Sequence, residues 1–370
     1  MTLTKLQIVS FNNPYPANYG GVIDVFYKIK HLHNLGVELY LHIFFDDRFD
    51  TEALKPYCKK IFVYKRNKSF FKLFNALPFR VASRTSKQIY NNLTQVDAPI
   101  LFEGLQTTHV LLNHQFKCKI FIRVHNIEHS YFYGLANSEK NLLKKLVYRI
   151  EGNKFENYEK VLNKSDGILA LSKIEFDYFQ KKYNSKAYYL PVFHGNEVIQ
   201  KQIGNGKYAL YHGDLSTADN IASATYILSL FKKLKYPLII ASAVMPASLG
   251  KLIEKYEHIR YVQLGDDEQV NQLIAEAHVN VLYSNQATGT KLKVFYSLYN
   301  GRFCIVNNNI VDDDRILKIC EVANTTEQYL QRIQDVFNKD YKFPPERARV
   351  LEQFHPALMA KKLQQIVTEV

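Results

Sequence analysis

Cysteine is scarce in this chain. Cys58, Cys118, Cys304 and Cys320 are the whole complement among 370 residues, and no two of them form a CxxC pair. That spacing excludes a disulfide framework and a structural zinc site, and it leaves four thiols of the buried, unreactive kind. Glycine and proline, at 15 and 11 residues, are near or below average usage and no segment repeats at a fixed period, which removes collagen, low-complexity and solenoid architectures. No apolar run approaches the ~18 residues of a membrane span. The opening MTLTKLQIVSF reads as a strand, without the apolar core of a signal peptide, so a cytoplasmic protein is expected. Charged residues make up only 22% against 47% hydrophobic, a balance that rules out a disordered or fibrous chain and supplies a sizeable core. Acidic residues are the scarcer sign, 35 against 48 basic, and the net charge of +13 leaves nucleic acid, anionic lipid or a phosphorylated substrate as partners.

From Lys5 to Phe45 the pattern is strand, loop, helix, strand: KLQIVSF, then NNPYPANYGG, then Val22, Val25, Phe26, Ile29, Leu32 and Leu35 at helical spacing, then Gly36 and VELYLHIFF. This predicts a right-handed parallel βαβ unit. KIFVY (60–64), PILF (99–102), KIFIRV (119–124) and GILAL (167–171) are further strands. A second series, KYALYH, YPLIIAS, IRYVQL, VNVLYS and RFCIVN, again alternates with helical stretches. The expected fold class is α/β with two facing Rossmann-like domains, residues 1–191 and 207–354, joined by a linker at 192–206, with a last helix over 355–370 crossing back onto the first domain. Ligands of such sheets bind at the carboxyl ends of the strands, so an active site in the cleft between the domains is expected.

Three segments carry candidate chemistry. Gly20 and Gly21 stand where a strand–loop enters a helix N-terminus, a place suited to phosphate, although the spacing fails for a dinucleotide fingerprint. In NQATGTKLKVFYSLYNG, Gly289 and Thr290 open a helix that Gly301 ends, and Lys291 and Lys293 fall in its first turn. Lysines there oppose the helix dipole, which an anion nearby would explain. His125 follows the KIFIRV strand in RVHNIEHSYF, well placed for hydrogen bonding or proton transfer at a substrate hydroxyl. His129 lies four residues on, but the pair lacks the HExxH pattern and a third ligand, so no metal is assigned. The acidic runs Asp46-Asp47 and Asp312 to Asp314 read as solvated turns.

Residues 55–90 contain ten basic residues and no acidic one. Lys65, Arg66, Lys68, Lys72, Arg80 and Arg84, interleaved with Phe70, Phe71, Phe74, Leu77 and Phe79, suit an interfacial helix on anionic lipid, or an acceptor surface. Nucleic acid is not expected, because no RRM, KH or helix-turn-helix signature accompanies them.

Taken in order, NPYPANYGGVIDVFYKI, PILFEGL, RVHNIEHSYF, SDGILALSKIEFDYF, YHGDL and ATGTKLKVFYSLYNGRFCIVN resemble the nucleotide-sugar glycosyltransferases of the GT-B fold, specifically those like glycosyltransferase family 4. The resemblance implies that Gly20 and Gly21 lie by the donor diphosphate, that His125 faces the transferred sugar, and that Gly289, Thr290, Lys291 and Lys293 hold phosphate. It further implies transfer with retention, no metal, and no cofactor beyond the nucleotide-diphosphate sugar that is the substrate. The family's two glutamates fall here at Thr288 and Tyr296, and the second, which binds the ribose, is replaced by a ring able to stack or pack. Gly213 opens the donor loop, but DLSTADN follows it in place of the family's basic pair. The leading expectation is a cytoplasmic enzyme, peripheral on the inner face of the membrane, that extends a lipid-linked or polysaccharide acceptor. A sugar-nucleotide epimerase and a non-catalytic binding protein are the competing classes.

Overall fold

The computed structural model describes residues 4–47, 49–139, 141–184, 186–265, 267–287 and 291–370. The chain forms two compact units, Met1–Gly195 with Pro356–Val370, and Asn196–His355. In the first, β1 (Lys5–Ser10), β2 (Glu38–Phe45), β3 (Lys60–Lys65), β4 (Ile100–Glu103), β5 (Ile120–Val124), β6 (Gly167–Ala170) and β7 (Ala187–Tyr189) stand in the order β3-β2-β1-β4-β5-β6-β7, with every pair parallel. Such a sheet is buried on both faces, and β4, β5 and β6 are buried throughout. The order reverses between β1 and β4, and this switch point is where open α/β sheets leave a crevice for ligands.

The helix Gly20–Asn34 packs Val22, Val25, Ile29 and Leu32 against one face of this sheet. Gly36 ends it at φ +79°, a left-handed conformation that a side chain would strain. The final helix, Pro356–Glu369, adds Met359, Leu363, Ile366 and Val367 to the same core cluster. Phe132, Phe155, Phe179 and, from the 3₁₀ helix Leu105–Leu112, Leu105 and Val110 cover the opposite face.

The second unit repeats the plan. β8 (Ala209–His212), β9 (Leu238–Ser242), β10 (Ile259–Gln263), β11 (Val279–Val281), β12 (Phe303–Val306) and β13 (Glu321–Val322) are ordered β10-β9-β8-β11-β12-β13, again all parallel. Its switch point lies between β8 and β11. β7 and β13, of three and two residues, are too short to leave a period in the sequence and were not among the predicted strands. The helix after NQATGT begins at Lys293, with Leu292 as N-cap, so Lys291 precedes it instead of occupying its first turn. Among the described residues no helix is long and apolar enough to cross a membrane.

Candidate functional site

At the switch point of the first unit, four fully buried charged groups meet. Asp24 and Lys28 are one turn apart on the Gly20–Asn34 helix, Glu103 ends β4 and Arg123 lies in β5. Lys28 Nζ donates to Asp24 Oδ2 at 2.9 Å and to Glu103 Oε1 at 2.5 Å. Arg123 forks onto Asp24 through Nε and Nη2 at 2.7 and 2.8 Å, and its remaining donors reach the carbonyls of Leu190 and Pro191. Two cations thus balance two anions, the condition under which buried charge is tolerated. Burial alone would discourage ionisation of Asp24, but Arg123 and Lys28 outweigh it and hold the carboxyl well below the usual carboxylate range. Burial likewise opposes ionisation of Glu103, and Lys28 with the His125 hydrogen bond pulls its pKa down.

His125, the first residue after β5, is the only partly exposed member. Its Nε2 donates to Glu103 Oε2 at 3.2 Å, so the carboxylate fixes the ring and its tautomer and leaves Nδ1 for another partner. The Phe11 ring meets His125 edge-on at 5.5 Å. A Cβ at Gly21 would come within 2.7 Å of Phe11 Cζ, so Gly21 is required by this packing. Gly20 is the first residue of its helix, and the N-cap Tyr19 makes no side-chain capping bond. Asp24, Glu103 and His125 bring one ligand atom each within 4.8 Å of one another, a cluster sized for a metal, but the Lys28 ammonium already bonds both carboxylates. His129 turns away to Glu159, at 3.3 Å.

In the second unit, β8 delivers His212 and Gly213 to the switch point. Lys293 is partly buried there, with Nζ 5.0 Å from the Tyr211 ring centre and 3.5 Å from Asn220 Oδ1. Among the described residues no carboxylate lies within ion-pair distance of it. Desolvation, with Lys291 beside it, brings its pKa down to about 8, and burial with Lys293 nearby brings that of His212 down to about 3. His212 is therefore neutral and pairs with Ser297 Oγ at 3.3 Å. The DLSTADN segment is a capped helix start, Thr217 Oγ1 accepting from the Asn220 amide. Tyr296 packs against the cluster of Tyr208, Leu210, Ile239 and Ile274. Gly289, Thr290 and Thr288 lie outside the described residues.

The basic segment departs from its reading in two ways. Arg84 is only 6% exposed and donates to the carbonyls of Phe11 and Arg80, so it is no part of an exposed membrane-facing surface. The apolar residues form a five-residue 3₁₀ turn, Phe70–Phe74, in place of a long helix. Phe70, Phe71 and Phe74 are nonetheless 66%, 82% and 76% exposed, while Leu77 packs on the core. Arg66 and Lys68 pair with Asp46, Lys72 donates to Ala82 O at 2.6 Å, and Arg80 lies 3.8 Å from Glu128 and over the Phe132 ring; Lys65 is exposed.

Sequence reasoning missed Asp24, Lys28, Glu103 and Arg123. Their signal is a charge inside an apolar run: Arg in KIFIRV, Glu at the end of PILFE, and Asp and Lys at i, i+4 on the buried side of a helix.

No protein-family model matches the chain. An uncharacterized 44.6 kDa protein of the cps region of Klebsiella pneumoniae is 28% identical over 328 residues, 82% of each chain. Among solved structures, the sucrose-phosphate synthase of Thermosynechococcus elongatus superposes with a TM-score of 0.73 at 14% identity, covering 99% of this chain and 98% of that one. WaaG, a glycosyltransferase involved in lipopolysaccharide biosynthesis, gives 0.65 at 13% identity, covering 99% and 100%. The UDP-N-acetylglucosamine 2-epimerase of Rickettsia bellii gives 0.54 at 10%, covering 100% and 97%. The protein has the GT-B fold, two Rossmann-like units each built on a parallel sheet.

Proposed function

We propose that the protein is a glycosyltransferase that moves a sugar, with retention and without a metal, from a nucleotide-diphosphate donor to a lipid-linked or polysaccharide acceptor. The observation that carries the reading is Lys293: a partly desolvated ammonium at the switch point of the second sheet, which Asp219 offsets only from beyond ion-pair distance and which no carboxylate among the described residues pairs with. Such a group is matched by a ligand's negative charge. As the bond from the sugar's anomeric carbon to the diphosphate oxygen breaks, that oxygen keeps the electron pair, and Lys293 with Lys291 stabilises the charge. The acceptor oxygen bonds to the anomeric carbon, and its proton passes to the departing diphosphate oxygen. In the first unit His125, held by Glu103, has Nδ1 available to orient the sugar or acceptor hydroxyl. That Lys28 fills the cation position between Asp24 and Glu103 supports a metal-free reaction. WaaG is involved in lipopolysaccharide biosynthesis, which supports a lipid-linked saccharide as acceptor, and the exposed Phe70, Phe71 and Phe74 support a protein seated on a membrane surface.

The same fold hosts an epimerase, and acceptor dependence separates the two. Incubation with UDP-, GDP- and ADP-sugars is expected to release nucleoside diphosphate only when acceptor is present. His125→Ala should bind donor normally and slow transfer on the order of 10²- to 10⁴-fold. Conversion of a nucleotide sugar to its epimer without acceptor would establish the epimerase instead, and failure to bind any nucleotide would leave no enzyme of either kind.

A further inference from the structure

The first unit holds a cavity of about 270 Å³, lined by Phe44, Arg84, Ser86, Lys87, Asn113 and His114 among others. That volume admits a phosphate or a single sugar group and falls short of a nucleotide. Among the described residues no acidic one lines it. Arg84 is the telling member: it is buried, it donates only to the Phe11 and Arg80 carbonyls, and among the described residues no carboxylate lies within ion-pair distance of it. Burial, reinforced by the nearby cations Arg66 and Arg80, pushes its pKa well below the ordinary arginine value; Asp46 acts the other way but is engaged by Arg66 and Lys68. A buried guanidinium without a counter-ion is costly unless something anionic completes it. Around it, Lys72 Nζ lies 3.4 Å from Thr85 Oγ1, and the His114 ring is stacked on Tyr90 at 3.9 Å. Phe11 links the lining residue Arg84 to His125. Arg84 Nε holds the Phe11 carbonyl at 2.8 Å, and the Phe11 ring meets His125.

We infer that this cavity is an acceptor subsite for an oxyanion, a phosphate or a carboxylate carried by the acceptor saccharide. The inference rests on the glycosyltransferase reading, and it adds a chemical class to an acceptor that reading leaves open. Arg84 and Lys87 supply the charge, and Ser86, Asn113 and the imidazoles supply the remaining donors.

The test is calorimetric titration of the full chain with inorganic phosphate, glucose 6-phosphate, glucuronate and glucose. Glucose 6-phosphate or glucuronate should bind measurably and glucose should not, and the stronger of the two identifies the anion. Lys87→Ala and His114→Ala, both at exposed positions and outside the core, should each weaken that binding about tenfold, the usual loss for one charge-assisted contact. Arg84→Lys should weaken it further; since Arg84 also secures Phe11, circular dichroism of that variant separates unfolding from lost binding, and the two exposed variants carry the test if it unfolds. Anion binding that is equal in the wild type and both exposed variants, or glucose binding as tight as glucose 6-phosphate, overturns the inference. Affinity for UDP, GDP and ADP measured on the same samples keeps the two readings apart. Retained binding of one of these nucleotides with no anion effect removes only the subsite, whereas failure of the wild type to bind any of them removes the glycosyltransferase reading itself.

Discussion

Lys293 has an ammonium whose protonation is set by its surroundings. With its pKa near 8, the native protein binds fewer protons between about pH 8 and 10.5 than the unfolded chain, where lysine has its ordinary value. The contribution of this group to stability therefore rises with pH across that window. Binding of a diphosphate goes the opposite way, because it needs the charged form. UDP affinity, if UDP is the donor nucleotide, is expected to be flat below about pH 7 and to fall above pH 8 by up to tenfold per unit. Lys293→Arg, which stays protonated, should remove the fall. Titration of both proteins at pH 7 and 9 checks this, and an identical pH profile for the two would detach Lys293 from the nucleotide. At this scale the sequence was informative in part. His125 at a strand end and Lys293 beside a glycine loop are local signals. Lys28, by contrast, reads as one more polar residue on an amphipathic helix. Its role depends on Glu103, 75 residues away, and no local pattern encodes that meeting.

Among the elements, the strands were the most legible, because buried parallel strands are continuous apolar runs, as in LIIAS and FCIV. The helix Leu142–Tyr158 was not. Its buried residues are Glu151, Gly152, Phe155 and Tyr158, while Leu142, Leu143, Leu146, Val147 and Ile150 face solvent, with Leu142 and Leu143 80% and 76% exposed. The apolar stripe thus points outward and an apolar count alone assigns it to the core. Lys154, one turn beyond Ile150, donates to Leu73 O at 2.7 Å and so ties this helix to the exposed Phe70–Phe74 turn. Lys144 and Arg149 on the exposed part of the helix supply positive charge. Binding to anionic vesicles should therefore fall steeply with salt, each cation contributing up to about 1 kcal/mol. Lys144, Lys145 and Arg149 changed together to Ser should remove the salt-dependent part, and Phe71→Ser with Leu143→Ser the part that survives in high salt. Vesicle sedimentation reads both, and equal sedimentation of wild type and variants with anionic and neutral vesicles would take the membrane out of the account.

For the whole molecule, the two successive α/β series were visible in the sequence because each strand run is followed by a helical period. The sequence reading also expects a last helix over 355–370 to cross back onto the first domain, and the first unit is left at Gly195 and re-entered at Pro356. The helical period of PALMAKKLQQIVTE shows an apolar stripe but not its partner, which is the helix Gly20–Asn34 and the core around it. Met359, Leu363, Ile366 and Val367 are almost fully buried there. At roughly 1.5–3 kcal/mol for each buried side chain, their removal costs about 6 to 12 kcal/mol, comparable with the whole ~5–15 kcal/mol stability of a domain. It would also uncover Val22, Val25 and Ile29, the helix that holds Asp24 and Lys28 in place beside Glu103. A chain ending at His355 is therefore expected to lose the first unit while the second, residues 196–355, keeps its own core. Limited proteolysis should cut the truncated protein throughout residues 4–195 and spare a fragment of the second unit, and nucleotide binding should persist in that fragment. Protection of residues 4–195 equal to that of the full chain would show that the last helix is an accessory to this unit and not part of its core.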